Sequence, residues 1–193
     1  MEIKKSAFVS SAASPGNRIK SHLKQIAVVG KSNVGKSSFI NLLTNDGKLA
    51  RTGKLPGRTR LINYFLINDE FFLTDLPGYG FAKTSQENKD TWSTFIDDYI
   101  KSSPSLVMVG LLIDLRHPGL PIDMKAYEWL REIAPSLVVI GTKEDKLKRN
   151  EARENLKKLN KLFPADYPAI SYSSLNGDGR DSLYRLIEQK VCE

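Results

Sequence analysis

Eight consecutive residues near the start of the chain have the types and spacing that bind phosphate groups. From Gly30 to Ser37 they read Gly-Lys-Ser-Asn-Val-Gly-Lys-Ser, which matches the pattern G-x-x-x-x-G-K-[ST]. The glycines let successive N–H groups point inward at phosphate oxygens, and the N-terminus of the next helix adds its dipole. Lys36 would contact the β- and γ-phosphates, and the Ser37 hydroxyl would bind Mg²⁺. A chance match is the alternative, but a strand predicted before the pattern and a helix after it favour a nucleoside triphosphate site.

The base is indicated further along, where Thr142-Lys-Glu-Asp145 has the form [NT]-K-x-D. Asp145 can accept hydrogen bonds from the N1–H and the 2-amino group of guanine, whereas adenine offers neither donor and would leave the carboxylate unpaired. The stem of Lys143 can lie along the ring face. Taken alone, these residues could form a charged surface turn. Following a phosphate-binding loop, they predict guanine and argue against an ATP-dependent metabolic kinase.

Three further segments could complete a nucleotide site. Asp75-Leu-Pro-Gly78 has the form D-x-x-G, in which Asp75 would hold Mg²⁺ through a water and the Gly78 N–H would meet the γ-phosphate. Thr59, within Pro56-Gly-Arg-Thr59-Arg, is the natural second hydroxyl ligand of Mg²⁺. Tyr172-Ser173-Ser174 would contact guanine O6 through backbone N–H groups. Each segment alone could be an ordinary turn, but their order along the chain favours the site.

The elements that must position these residues alternate between strands and helices, which predicts an α/β domain of the P-loop NTPase (Ras-like) class. We expect a six-stranded, mostly parallel sheet with one antiparallel edge strand, helices on both faces, and ligands beyond the carboxyl ends of the strands. The predicted strands are 25–29, 61–67, 70–74, 106–113, 137–140 and 169–172, and the predicted helices are 36–44, 90–100, 122–133, 150–162 and 181–191. Asn68-Asp69 joins the second and third strands as a hairpin turn.

Size and composition limit the class of protein. The 193 residues predict an N-terminal extension over residues 1–23 and one GTP-binding domain over residues 24–193. The single cysteine, Cys192, can build neither a disulfide framework nor a cysteine metal site. The longest apolar run, Leu106–Ile113, is far below the roughly 20 residues of a membrane span. We therefore expect a cytoplasmic protein with no membrane partner.

Charge is unevenly distributed along the chain. Lys and Arg total 29 against 22 Asp and Glu, and this basic balance raises the odds of a nucleic-acid partner without establishing one. Between Gly47 and Asn68 there is no acid, while the segment contains Lys48, Arg51, Lys54, Arg58 and Arg60. One hypothesis is that GTP orders this segment through Thr59 and thereby presents its charges to RNA. The alternatives are that these charges are merely solvated, or that the basic helix at 146–161 binds the RNA.

Together the motifs resemble the EngB/YihA/YsxC family of ribosome-biogenesis GTPases. The resemblance covers about residues 5 to 190 and rests on the phosphate-binding and guanine patterns, Pro56-Gly-x-Thr59, Asp114-Leu-Arg-His117 and, most specifically, Asp75-Leu-Pro-Gly-Tyr-Gly-Phe-Ala82. It implies a GTPase switch in assembly of the 50S ribosomal subunit that contacts rRNA or ribosomal proteins, and a requirement for the protein in normal cell division and septation. Separately, we expect slow hydrolysis, because Tyr79 follows Asp75-Leu-Pro-Gly78 where Ras-like switches place a water-orienting glutamine. We also expect a monomer. Arg60 and Lys31 depart from the common residues of the family but replace no nucleotide ligand.

The predicted site is large, and its members fall into three groups. Lys36, Thr59 and Gly78 are the predicted catalytic residues; Ser37, Thr59 and, through water, Asp75 are the predicted Mg²⁺ ligands. Asn33 is placed as related GTPases place a K⁺ ligand, although it could instead cap the loop through its own backbone. The predicted GTP-binding residues are Gly30, Lys31, Ser32, Asn33, Val34, Gly35, Lys36, Ser37, Ser38, Gly57, Arg58, Thr59, Arg60, Leu61, Asp75, Leu76, Pro77, Gly78, Thr142, Lys143, Glu144, Asp145, Tyr172, Ser173 and Ser174.

Two functions of different classes remain open from the sequence. One is the ribosome-assembly GTPase that the resemblance implies. The other is a GTP-dependent protein-interaction switch in cell division that makes no direct contact with RNA. The salt dependence of binding to ribosomes would distinguish the two functions, because RNA binding weakens steeply as the salt concentration rises.

Overall fold

Seven strands and five helices alternate along the part of the chain that the structure describes. The computed structural model describes residues 1–50, 61–80 and 86–193. The strands are β1 (Ser6–Ala12), β2 (Gln25–Gly30), β3 (Ile62–Ile67), β4 (Phe71–Asp75), β5 (Leu106–Asp114), β6 (Leu137–Thr142) and β7 (Ile170–Ser171). The helices are α1 (Lys36–Leu43), α2 (Gln86–Ser102), α3 (Pro121–Ile133), α4 (Arg149–Leu162) and α5 (Arg180–Cys192).

All seven strands form one sheet, in the order β1-β3-β4-β2-β5-β6-β7. β4, β2, β5, β6 and β7 run parallel, whereas β3 is antiparallel to both of its neighbours. This confirms the α/β class, the mostly parallel sheet and its antiparallel margin. The strand count was wrong: the sheet has seven strands rather than six, and the antiparallel strand β3 lies second from the edge because β1 covers it.

β1 was missed because its sequence carries almost no burial signal. Only Ala12 in this strand is fully buried, and Phe8 and Val9 are exposed, so no alternation of apolar and polar residues marks it. A register shift between Phe8 and Ser10 also interrupts its pairing with β3. β1 is therefore stabilised by backbone hydrogen bonds to β3 and not by burial of a hydrophobic face. The division of the chain at residue 23 stays a prediction.

The β3–β4 hairpin has the turn that its sequence predicts and also anchors the N-terminus. Asn68 and Asp69 have φ of 51° and 58°, and positive φ at both central residues is the requirement of a type I′ turn. The Asn68 Oδ1 accepts hydrogen bonds from the Lys4 and Lys5 N–H groups at 2.9 and 3.1 Å. A turn without glycine is therefore supported by contacts outside the hairpin.

Helices pack on both faces of the sheet, over two apolar clusters. Every residue of β2 and β6 is buried, as expected for central parallel strands. α2 runs from residue 86 to 102, longer at both ends than the predicted 90–100. In the described ranges no helix is long and apolar enough to cross a membrane. The parallel strands end at a common edge, where β2 leads into the phosphate-binding pattern, β4 into Asp75-Leu-Pro-Gly78 and β6 into the guanine pattern.

Candidate functional site

The phosphate-binding pattern forms a loop between β2 and α1 whose shape depends on glycine. A Cβ added to Gly30 would lie 2.9 Å from the Leu112 carbonyl oxygen and 2.8 Å from Val34 Cγ1, so no larger residue fits there. Gly35 precedes α1 with φ of 102°, which side chains rarely tolerate. The loop closes through a hydrogen bond from the Val34 N–H to the Lys31 carbonyl at 3.0 Å. These features form a tight turn that leads directly into the first residue of α1.

The Asp75-Leu-Pro-Gly78 segment lies directly against this loop. The Ser32 N–H donates to the Tyr79 carbonyl at 2.9 Å, and the Tyr79 N–H donates to the Gly30 carbonyl at 3.2 Å. A Cβ on Gly78 would lie only 3.0 Å from the Gly30 carbonyl oxygen. The absence of a side chain at Gly78 therefore lets two predicted phosphate-contacting segments sit side by side.

Charged and hydroxyl groups from the two segments meet at this edge of the sheet. Lys36 Nζ donates a hydrogen bond to Asp75 Oδ1, and both side chains are largely buried. Asp75 Oδ2 accepts a second hydrogen bond from Asn63 Nδ2 at 3.3 Å. Ser37 and Ser38 follow Lys36 in the first turn of α1. The geometry thus brings a lysine and a carboxylate to the mouth of the phosphate-binding loop, next to two hydroxyl-bearing residues.

The guanine pattern is attached to the other side of the loop. Thr142 Oγ1 donates to the Val34 carbonyl at 2.8 Å, and this hydroxyl is buried. Lys143 Nζ donates to the Asn33 carbonyl at 2.8 Å. Lys143 itself has φ of 63°, a left-handed conformation that is uncommon for a long side chain. Two side chains of the guanine pattern therefore hold the backbone of the phosphate-binding loop in place.

Asp145 lies beside the last predicted contact segment. Its Oδ1 accepts a hydrogen bond from Ser173 Oγ at 3.3 Å, and its Oδ2 forms an ion pair with Lys146 at 3.1 Å. The Tyr172 N–H donates to the Gly141 carbonyl at 2.7 Å, and the Tyr172 ring packs edge-on against Phe39. The Tyr172 side chain therefore belongs to the core. The structure brings the segments 142–145 and 172–174 together, as their predicted common ligand requires.

Asp114 is a member of this constellation that the list of candidate residues omitted. It ends β5, and its carboxylate accepts hydrogen bonds from Arg116 Nη2 at 2.7 Å and from Lys143 Nζ at 3.0 Å. Burial by itself raises the pKa of Asp114, but these hydrogen bonds outweigh burial and hold that pKa well below its usual range. The signal was its position, an acid directly after a long apolar strand. Asp114 keeps Lys143 oriented toward the loop.

A second unpredicted pair lies behind Gly78. Tyr79 Oη donates to Asp123 Oδ1 of α3 at 2.7 Å, and both side chains are buried. Burial and the neighbouring carboxylate raise the pKa of Tyr79, and burial raises the pKa of Asp123. Tyr79 stands where Ras-like switches place the glutamine that orients water. Its hydroxyl is instead directed into the core, toward α3.

Several predicted residues lie outside the described part of the chain, namely Gly57, Arg58, Thr59 and Arg60, together with Arg51 and Lys54 of the basic segment. Leu61 is described and immediately precedes β3. Asn33 is exposed, has φ of 65°, and its side-chain amide makes no hydrogen bond to any residue in the described ranges. The alternative in which this amide caps the loop is therefore not seen.

Comparison with known proteins points to one family. The family model described as 50S ribosome-binding GTPase matches residues 25–143. A probable GTP-binding protein EngB of Clostridium beijerinckii is 44% identical over 185 residues, covering 95% of this chain and 93% of that protein. One from Pelotomaculum thermopropionicum is 39% identical over 193 residues, covering 99% of this chain and 98% of that protein.

Solved structures agree with these relatives. A crystal structure of a probable GTP-binding protein engB has a TM-score of 0.69 at 28% identity, covering 86% of this chain and 98% of that chain. Era, crystallised with MgGDPNP and nucleotides 1506–1542 of 16S ribosomal RNA, also has a TM-score of 0.69. Its identity is 22%, with 87% of this chain and 56% of that chain covered, so this second likeness supports the fold alone.

Proposed function

The chain belongs to the EngB family of GTP-binding proteins and is a GTPase, and from this premise we propose that it acts as a slow GTP-dependent switch in assembly of the 50S ribosomal subunit. The observation that supports the GTP-dependent switch in this proposal is that three nucleotide motifs meet at one edge of the sheet. Hydrogen bonds from Ser32 and Tyr79 connect two of them, and those from Thr142 and Lys143 connect the third. A role in cell division and septation belongs to the same proposal.

We assign the nucleotide contacts by these positions. The backbone N–H groups of Asn33 and of residues 35–38 surround the phosphates, whereas those of Ser32 and Val34 bond to the Tyr79 and Lys31 carbonyls. Lys36 leaves Asp75 to contact the β- and γ-phosphates. Asp145 accepts the two guanine donors, Lys143 covers the ring, and backbone groups from Tyr172 to Ser174 meet O6. The Ser173–Asp145 hydrogen bond supports this assignment, because it holds the carboxylate beside the segment that reads the same base.

The residues at the phosphate end fit Mg²⁺, which GTPases of this class use. Ser37 and Thr59 offer hydroxyl oxygens and Asp75 a carboxylate, and oxygen donors of this kind suit a hard divalent ion that retains several waters. Ser37 and Asp75 come from the two segments that lie against each other. Ser37, Thr59 and Asp75 would hold the ion, which when bound would supply positive charge against the negative charge that develops in hydrolysis.

Hydrolysis by the isolated protein should be slow. The Gly78 N–H and Lys36 stabilise charge on the γ-phosphate, and Thr59 would supply a hydroxyl ligand to the metal. Tyr79, in the position after Gly78, donates its hydroxyl to Asp123 and cannot orient the attacking water. Intrinsic turnover on the order of 10⁻⁴ to 10⁻³ s⁻¹ is therefore expected. The Asn33 side chain, which makes no hydrogen bond within the described ranges, is the candidate to hold K⁺ where an arginine would otherwise act.

The 50S partner is supported by the family model, whose description names 50S binding, and by the net charge of +7. The direct test is co-sedimentation of the full chain with 50S particles in the presence of GDP or a non-hydrolysable GTP analogue. We expect binding that is stronger with the analogue and that weakens steeply with salt. Equal and negligible sedimentation in both nucleotide states would reject the ribosomal role and leave the GTPase activity standing.

A second candidate function is the protein-interaction switch in cell division. The observation that favours it is the exposed pair Phe8 and Val9, whose side chains are 54% and 45% exposed on the outermost strand of the sheet. Apolar side chains on an outer strand suit a protein partner better than RNA. Binding to a cell-division protein that persists at high salt, without binding to 50S particles, would favour this candidate.

A further inference from the structure

The stretch that leads into α4 and forms it is strongly basic. From Lys146 to Leu162 there are seven Lys or Arg and two Asp or Glu, so this stretch carries a net charge of +5 out of +7 for the whole chain. Arg149, Arg153, Lys157 and Lys161 are spaced by four residues and are all exposed. Residues at this spacing share one side of a helix, and these four span about 18 Å. We refer to these four residues as the α4 basic face.

The opposite side of α4 is fixed to the domain. Ala152, Asn155 and Leu159 are buried, and Asn155 Nδ2 donates to the Leu115 carbonyl at 2.9 Å. The helix cannot rotate without breaking these contacts. The α4 basic face therefore has a constant orientation toward solvent.

Contacts within the protein do not account for these charges. Lys157 pairs with Glu154 at 2.9 Å, but Arg149, Arg153 and Lys161 make no ion pair with any residue in the described ranges. The hydrogen bond from Lys157 and the nearby charge of Arg153 hold the pKa of Glu154 below its usual range. Glu154 therefore stays ionised, and together with Glu151 it offsets only two of the seven positive charges of the stretch.

The start of α4 carries charges of the unfavourable sign. Lys148 is the N-cap and Arg149 the first residue, no side-chain cap is present, and the single acid of the first turn, Glu151, offsets one of these two positive charges. A cation in the first turn opposes the helix dipole. A merely solvated surface helix gains nothing from this arrangement. An anion bound outside the protein would offset it.

The position of α4 separates it from the nucleotide-sensing segments. α4 connects β6 to β7 at one margin of the sheet, whereas Asp75-Leu-Pro-Gly78 follows β4, which is separated from β6 by β2 and β5. The helix begins four residues after Asp145, in the part of the site that reads the base. The base is the same in GDP and GTP, so α4 should not respond to the γ-phosphate.

We propose that the α4 basic face binds the phosphate backbone of RNA and does so equally in the GDP and GTP states. This inference rests on the proposed ribosomal function and specifies the surface that meets the ribosome. Four cations in a row over about 18 Å complement a line of phosphates. Backbone contacts of this kind supply affinity and little sequence preference.

The test replaces three exposed cations of the face by a residue of similar helix propensity. The variant Arg153→Gln/Lys157→Gln/Lys161→Gln is compared with Lys4→Gln/Lys20→Gln/Lys101→Gln, which removes the same charge from the N-terminal segment and α2. Binding of each full-length protein to 50S particles, and to protein-free RNA extracted from them, is measured against salt with GDP and with a non-hydrolysable GTP analogue. Unchanged GDP affinity and unfolding temperature verify the fold of both variants.

We expect the α4 variant to lose at least about tenfold in affinity, equally in both nucleotide states, and its salt slope to fall by about 2. The control variant should keep most of the wild-type affinity. Equal losses in the two variants, or loss of 50S binding with retained binding to free RNA, would overturn the inference and indicate general charge or a ribosomal protein. If the wild type binds no 50S particles in either state, the proposed function fails and this inference with it.

Discussion

Tyr79 and Asp123 form a buried hydrogen bond of 2.7 Å that joins the segment after Gly78 to α3. The tyrosine hydroxyl donates and the carboxylate accepts. Lys31 lowers the pKa of Asp123 and Asp114 raises it, but burial is the largest influence and raises it overall. Burial thus makes ionisation of the Asp123 carboxyl unfavourable. This carboxyl lies directly behind the γ-phosphate end of the site, and its hydrogen-bond donor, Tyr79, is the residue after Gly78.

Replacing Tyr79 by Phe should destabilise the protein by about 1–3 kcal/mol, because the buried carboxylate loses its donor. Since the hydrogen bond lowers the pKa of Asp123, its removal raises that pKa further above the unfolded value. A raised carboxyl pKa gives stability that is present at low pH and is lost as pH rises through it. The loss should therefore be larger at pH 8 than at pH 5.5, as measured by urea unfolding in the presence of GDP.

Tyr127→Phe is the matched control, because the Tyr127 hydroxyl donates to the Pro164 carbonyl, which does not titrate. Its destabilisation should be the same at both pH values. A Tyr79→Phe loss independent of pH would reject the linkage to Asp123. The GTPase rate of folded Tyr79→Phe should stay within about twofold of wild type, since a hydroxyl directed at α3 takes no part in the chemistry.

Asp145→Asn should change the base that the protein accepts. The wild type should reject ATP by about 10⁴-fold or more, because adenine leaves the Asp145 carboxylate unpaired. An asparagine amide can donate to the second carbonyl of xanthine, so this variant should favour xanthine nucleotides over guanine nucleotides. Competition against a fluorescent GDP analogue measures both preferences, and Glu144→Gln serves as the neighbouring control. ATP competing as well as GTP for the wild type would refute the assignment.

Asn33→Ala should remove any stimulation of GTP hydrolysis by K⁺. The side-chain amide of Asn33 makes no hydrogen bond in the described part of the chain, but its φ of 65° disfavours alanine. Asn33→Gly, which tolerates this φ, is therefore measured beside Asn33→Ala, and both variants should lose the K⁺ stimulation while keeping GDP affinity. Phosphate release is measured in K⁺ and in Na⁺ buffers, for the free protein and with 50S particles. A wild-type rate that is the same in the two buffers under both conditions would mean that Asn33 binds no K⁺.

The sequence was sufficient to predict those parts of the site whose geometry depends on the spacing of residues close together in the chain. Gly30 and Lys36 are the first and seventh residues of one eight-residue motif in a strand-loop-helix unit. That unit was predicted with boundaries close to those observed. Asp123 could not be assigned, because its partner Tyr79 is 44 residues away and an acid on an amphipathic helix is normally solvated. β1 was missed for the related reason that backbone pairing to β3 stabilises it and few of its side chains are buried.

The bound nucleotide should control the affinity for 50S particles through the basic segment. Arg51 and Lys54 belong to the basic segment that includes Thr59; none of the three is in the described ranges. GTPases order such a segment through γ-phosphate and Mg²⁺ contacts, so its charges should contribute to binding mainly in the GTP state. Arg51→Glu/Lys54→Glu should therefore keep GTP affinity and abolish the preference of 50S particles for the GTP form.

The α4 variant provides the internal comparison for that experiment. It should lower 50S affinity in both nucleotide states and preserve their ratio, because the α4 basic face is fixed by buried contacts at Ala152 and Leu159. Combining the two sets of substitutions should give additive losses, since distant sites with no shared partners act independently. A nucleotide preference that survives Arg51→Glu/Lys54→Glu but disappears in the α4 variant would reverse the assignment and make α4 the nucleotide-responsive surface.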